Sequence, residues 1–221
     1  MLSHLDCIIF PDRCEVIEVV PSQRYVYPIF KNGQSSLNDY SGKNKCKILL
    51  NEQIQILNNI DVILRDPKQR FQSGINTFIQ MTLRDHPTLD IHTITWFATN
   101  YLFLNRHYAP QFLWLLNLAR YLNPNATLNF LAMDQLDSIT NTDKKPLDVK
   151  PISKQLADQL ENLLNNEMYD RIDRALILCI GQKLTFDQLI RQIKQQDHIA
   201  YDWVIGRSQR ILKPTYVLSQ T

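Results

Sequence analysis

Lys31, Gly33, Ser35 and Ser36, within YVYPIFKNGQSSL (25–37), are residue types that can hold an anion against a backbone. Lysine supplies a mobile cation, glycine lets the chain come close to an oxygen, and the serines add hydroxyl and N–H donors. A second stretch, DVILRDPKQRFQSG (61–74), ends an apolar run in Arg65 and carries Ser73 eight residues on. Ser73 lies on the same side of the following helix as Arg70, so an arginine fork and a hydroxyl converge above a helix N-terminus. That arrangement suits a second phosphate. The first stretch is not an ATP-type phosphate loop, because GxxxxGK[ST] places lysine after its glycines and Lys31 precedes Gly33. Taken alone, each stretch has a plainer reading, a surface turn with a solvated lysine and a capped helix start. Capping accounts for Asp66, Pro67 and Gln69, but not for Arg65 with Ser73.

The elements around these residues alternate. VIEVV and YVYPIF read as strands about a Pro21-Ser22 turn, and SSLNDYSGK can start a short helix. CKILL (46–50) fits a strand and NEQIQILNN (51–59) a short helix. IDVILRD is the clearest strand, a continuous apolar run expected of a sheet buried on both faces. A helix follows from Pro67 to about Leu83, then an apolar helix near 90–104, a break at NRHYAP, and a helix from Gln111 to about Leu122. TLNFLAMDQL (127–136) fits a further strand, NTDKKPLDVKP (141–151) a loop, and 153–180 a long amphipathic helix. Thr185 caps a last helix over TFDQLIRQIKQQ. This order predicts an α/β fold with a parallel sheet and helices on its faces. In such sheets ligands sit beyond the carboxyl ends of the strands, where both stretches lie. With five glycines in all, the placement of Gly33 and Gly74 carries weight.

The 221 residues are expected to form a single domain, 1–221. A formal net charge of +2 gives no strong basic field, so neither nucleic acid nor a membrane surface is an expected partner. Cys7, Cys14, Cys46 and Cys179 are scattered, without a CxxC pair or zinc-ligand spacing, and read as free thiols of a reducing compartment. The N-terminal MLSHLDCIIFPDRCEVIEVV does not read as a signal peptide, and no run approaches the ~20 apolar residues of a membrane span. A soluble, cytoplasmic protein is the expectation.

Together the two stretches resemble the nucleotide-binding signatures of sulfotransferases that use 3′-phosphoadenosine 5′-phosphosulfate. YPIFKNGQSSL is similar to the 5′-phosphosulfate loop, a strand followed by Lys-x-Gly, three hydroxyl residues and an apolar residue. Gln34 departs from that pattern. DVILRDPKQRFQSG is similar to the 3′-phosphate motif, Arg-x-Pro-x-x-Arg-apolar-x-Ser. NRHYAPQFLWLL (105–116) resembles the His-x-x-Pro-Gln segment of the carbohydrate-type branch. The likeness spans roughly residues 25–116, in family order. It implies a three-layer P-loop-like fold with a central parallel sheet. It assigns Lys31, Asn32, Gly33, Gln34, Ser35 and Ser36 to the 5′-phosphosulfate loop, and Arg65 and Ser73 to the 3′-phosphate. The implied co-substrate is 3′-phosphoadenosine 5′-phosphosulfate, with no metal, and the implied acceptor is a hydroxyl, on a carbohydrate rather than a phenol. Acceptor-side segments fall at about 84–151.

Sulfuryl transfer is mostly positioning and charge stabilisation on an in-line path, so Lys31 is expected to stabilise the bridging oxygen as the nucleotide leaves. An acceptor hydroxyl needs a base near neutral pH, which suits histidine. His4 and His198 read as surface residues, His86 as part of a helix end, and His92 as the start of an apolar helix. His107, in the third stretch, is the expected base or acceptor-positioning residue; its plainer role is to order the turn. Trp96, Phe97, Tyr101 and Phe103 read as core rather than a sugar platform. Two other functions remain open: a nucleotide kinase of related fold, with Asp134 as its candidate magnesium carboxylate, and a non-catalytic nucleotide-binding homologue.

Overall fold

The computed structural model describes residues 14–29, 32, 46–88, 90, 92, 93, 96, 107–140 and 167–208. Its strands are β1 (Glu15–Val19), β2 (Arg24–Tyr27), β3 (Cys46–Leu50), β4 (Asn59–Leu64), β5 (Thr127–Ala132) and β6 (Lys183–Thr185). The helices are α1 (Asn51–Ile54), α2 (Pro67–Asp85), α3 (Gln111–Ala119), α4 (Leu136–Thr140), α5 (Glu167–Ile177) and α6 (Phe186–Ser208).

The six strands form one sheet in the order β3-β1-β2-β4-β5-β6. The expected parallel sheet holds for its centre: β2 pairs parallel with β4, and β4 with β5. The flanks are antiparallel, β1 to both β2 and β3, and β6 to β5. The reason lies in the connections. A 3₁₀ turn over Val20–Ser22, closed by Gln23 in the left-handed region at φ 52°, joins β1 to β2. That link is too short for the crossover a parallel pair requires. The chain is thus α/β with a mixed sheet and flanking helices.

Period-two alternation sorts the strands between two apolar clusters. Val16, Tyr27, Ile60, Val62, Leu64, Leu128 and Phe130 face the larger one, filled by α2, α3, α5 and α6. Ile17, Val19, Val26, Ile63 and Leu131 face the other, with Leu136 and Ile139 of α4. From Ile60 to Leu64 every residue of β4 is buried, as a central strand requires. Its one acid, Asp61, accepts from Arg24 Nε at 2.6 Å and from Asn129 Nδ2 at 2.7 Å. The charge is therefore neutralised within the sheet.

Local chemistry sets the helix boundaries. Asp66 accepts the Gln69 N–H at 2.9 Å, and Pro67 opens α2, which runs to Asp85. Thr185 and Gln188 form a reciprocal capping box at the start of α6. Asp197 leaves helical geometry inside α6 (φ −156°, ψ 81°) and caps the second half through Ala200 N–H at 3.0 Å. Arg171 of α5 grips that carboxylate through two bonds of 2.5 and 2.7 Å. Helix α3 is shorter than expected, the expected helix at 90–104 lies largely outside the described residues, and of the helix expected over 153–180 the described part is α5, which ends at Ile177.

Candidate functional site

The parallel pairing of Tyr27 with Val62 brings the carboxyl ends of β2 and β4 side by side. The two stretches singled out in the sequence therefore leave the sheet as neighbours. Of the first, Lys31, Gly33, Gln34, Ser35 and Ser36 lie outside the described residues. Asn32 is described and fully buried. Its backbone N–H donates to Ile29 O at 3.0 Å. Its side-chain Nδ2 donates to Ile63 O at 2.7 Å and to Gln111 Oε1 at 2.6 Å. Asn32 thus serves as a buried anchor for the chain just beyond β2, and its Oδ1 is a buried acceptor without a hydrogen-bond partner among the described residues.

In the second stretch, Arg65 follows β4 directly. Both of its backbone groups are held by Gln111: the N–H donates to Oε1 at 3.0 Å, and the carbonyl accepts from Nε2 at 2.8 Å. The guanidinium is half-buried. Burial first, then the positive charge of Arg70, lowers its pKa, and Asp66 works in the opposite direction. A cation made less comfortable by burial and by a like charge is stabilised by an incoming anion. Ser73 is partly exposed on α2, and its carbonyl accepts the Thr77 hydroxyl at 3.0 Å.

Arg70 does not lie on the solvated helix face. It is fully buried and donates through Nη1 to Ala109 O and, at 3.3 Å, to the Tyr169 hydroxyl. The Tyr169 hydroxyl donates in turn to Tyr108 O at 2.5 Å. Burial pushes the Tyr169 hydroxyl upward in pKa, so it stays a neutral donor. These bonds fasten the 107–110 turn onto α2. Gly74 permits the contact, because a Cβ there would lie 2.0 Å from the His107 carbonyl oxygen. Phe71 and Phe78 meet the Tyr108 ring edge-on at 6.0 and 5.5 Å. His107 itself is 4% exposed.

Helix α3 starts at Gln111, and its first N–H groups are buried. Asp173, two turns into α5 and fully buried, accepts Gln111 N–H at 2.9 Å and Phe112 N–H at 3.2 Å. One oxygen also receives Gln111 Nε2 at 3.4 Å, the long limit of a hydrogen bond. Burial raises the pKa of Asp173 to about 6, against the opposing pull of Arg70 and of the two backbone donors. The Gln111 side chain then has every polar atom engaged: Oε1 by Asn32 and Arg65, Nε2 by Arg65 and Asp173.

All three stretches therefore meet at Gln111, and the structure brings Asn32, Arg65 and the 107–111 turn into one cluster. The other described histidines stand apart: His86 closes α2 through its N–H to Thr82 O at 2.7 Å, and His92 and His198 are exposed, while His4 lies outside the described residues. Trp96, expected in the core, is 61% exposed; Phe97, Tyr101 and Phe103 lie outside the described residues. Arg207 sits in α6 and stacks on Trp203 at 4.5 Å. Asp134 is exposed just after β5. Among the described residues no group of three histidine, cysteine, aspartate or glutamate side chains is placed to hold a metal. No described helix is long and apolar enough to cross a membrane.

Sequence reasoning missed Asp173, although a signal was present. Tyr169, Ile172, Asp173 and Leu176 share one face of α5, so the carboxylate stands on an apolar stripe. Arg70 stands likewise among Phe71, Gly74 and Ile75. A charge on such a stripe requires a buried partner. Compared with protein-family models, curated proteins and solved structures, the chain matches none.

Proposed function

We propose that the chain is a sulfotransferase with a P-loop-like fold that moves a sulfuryl group from 3′-phosphoadenosine 5′-phosphosulfate to a hydroxyl of a carbohydrate. The observation that carries this reading is the Gln111 side chain, which joins Asn32 of the first stretch to Arg65 of the second. Two stretches read separately as phosphate-binding thereby become neighbours at the carboxyl ends of adjacent parallel strands, where open α/β sheets bind ligands.

In this reading Lys31, Gly33, Ser35 and Ser36, with Asn32 and Gln34, hold the 5′-phosphosulfate, and Arg65 with Ser73 holds the 3′-phosphate. The acceptor oxygen attacks sulfur as the bond from sulfur to the bridging phosphate oxygen breaks. The acceptor proton passes to a base, and 3′,5′-bisphosphoadenosine leaves with the negative charge, which Lys31 stabilises. Loss of such a contact raises a barrier by about 3–4 kcal/mol. His107 belongs here as base or acceptor-positioning residue. At 4% exposure its imidazole favours the positioning role.

Arg65→Ala tests the assignment. It should cost about 2 kcal/mol in affinity for 3′,5′-bisphosphoadenosine, the scale of a charged hydrogen bond, and leave 5′-AMP affinity nearly unchanged. Equal losses for the two nucleotides, measured by calorimetry, would remove Arg65 from a 3′-phosphate site.

A further inference from the structure

Gln111 stands under the site rather than in it, and its bonds describe a spacer. Oε1 accepts at once from Asn32 Nδ2 (2.6 Å) and Arg65 N–H (3.0 Å), and Nε2 donates to Arg65 O (2.8 Å). The amide plane thus fixes Asn32 against Arg65. The residue is fully buried, and its backbone N–H is bound to Asp173 of α5, sixty-two residues away in sequence. We propose that Gln111 is a positioning residue which, oriented by Asp173, sets the separation between the chain beyond β2 and the chain beyond β4.

The inference deepens the nucleotide reading and rests on it for its consequence. A ligand with phosphates at both ends gains over a one-ended ligand only if the two half-sites keep the ligand's own spacing. Gln111 contributes no charge and needs no contact with the nucleotide to supply that advantage. The carboxylate of Asp173 controls the amide in turn. One of its oxygens takes Phe112 N–H and the other takes Gln111 N–H and faces Nε2, which holds Nε2 on the Arg65 carbonyl side and turns Oε1 toward Asn32.

Gln111→Met keeps the volume and removes all four side-chain bonds. Two measurements decide, made on the whole chain. The first is calorimetric affinity for 3′,5′-bisphosphoadenosine and for 5′-AMP. The expected result is that the preference for the bisphosphate falls about tenfold while 5′-AMP affinity is kept. A role in stability alone would lower both affinities by one common factor, and that result, or an unchanged preference, overturns the proposal. The second is amide hydrogen exchange without nucleotide. Exchange at Arg65 N–H should quicken about tenfold relative to Val62 N–H in the same strand. Equal exchange ratios in variant and wild type would overturn the tether itself. Should Gln111→Met fail to fold, Asp173→Asn serves in its place, because it keeps the side chain's shape while the one oxygen that takes both Gln111 N–H and Nε2 loses its full negative charge, which weakens the grip on Nε2. Its preference should fall by a smaller factor in the same direction, and an unchanged preference counts against the proposal. A wild type that binds neither nucleotide sinks the nucleotide reading, and the exchange ratio alone then decides the tether.

Discussion

Two helices begin beside one another at this end of the sheet, and their N-termini are satisfied in opposite ways. Helix α2 is capped from its own sequence: Asp66, one residue before Pro67, takes the Gln69 N–H at an exposed position. Helix α3 follows Pro110, which offers no side-chain cap, and a carboxylate from α5 is brought to its buried first turn instead. Each N-terminus carries partial positive charge from its unpaired N–H groups. At α3 that charge already faces an internal anion, Asp173, within the core. At α2 the start lies near solvent beside Arg65, whose burial and proximity to Arg70 favour an added negative group. The difference separates a helix start capped from within the core from one capped at the surface.

The sharpest way to break this comparison is to remove the two caps in turn. Asp173→Leu strands two buried N–H groups and removes a negative charge that interacts favourably with Arg70, and should cost about 4 kcal/mol in denaturant unfolding. A loss below 1 kcal/mol would mean that the buried start of α3 does not depend on it. Gly74→Ala comes next. Its Cβ would overlap the His107 carbonyl, so the 107–110 turn must lift from α2, at about 3 kcal/mol. A thermal midpoint equal to that of the unaltered chain would show that the contact is looser than described.

The pH dependence of stability should carry the mark of Asp173. Its folded pKa, about 6, stands above the ordinary 3.8, so the native state keeps a proton that the unfolded chain has released. The stability from this group is complete below about pH 4 and is lost as pH rises through about 6. Asp173→Asn should abolish that slope, so the stability of the wild type relative to the variant should fall across this window. A relative stability that rises there would reverse the sign of the burial effect. The smallest change is Asp66→Ala, at about 1 kcal/mol for an exposed local cap. A cost matching that of Asp173→Leu would erase the distinction between the two helix starts.

What could be read from sequence divides along the same line. The caps at Asp66 and Thr185 were legible because donor and acceptor lie three residues apart. β4 was legible because a central strand needs an unbroken apolar run. The antiparallel flanks were not, since β6 is three residues long and the pairing of β3 with β1 is a choice made in space. At the candidate site, spacing alone singles out Arg65 and Ser73, and of the two the structure joins Arg65 to Gln111 of the 107–111 segment. The residue that joins the cluster proved to be Gln111, held by an acid sixty-two positions away, and no local pattern encodes that distance. Only the placement of Asp173 and Arg70 on apolar stripes hinted at it.

The account rests on the claim that the ends of β2 and β4 form one nucleotide site with a separate place for a 3′-phosphate. Calorimetric titration of the unaltered chain with 3′,5′-bisphosphoadenosine, beside 5′-AMP and magnesium-ATP, tests it most directly. The account predicts that the bisphosphate binds at least about tenfold tighter than 5′-AMP, for the charged contacts that Arg65 and Ser73 add. Tighter binding of magnesium-ATP than of the bisphosphate, or no binding of any of the three, would contradict it.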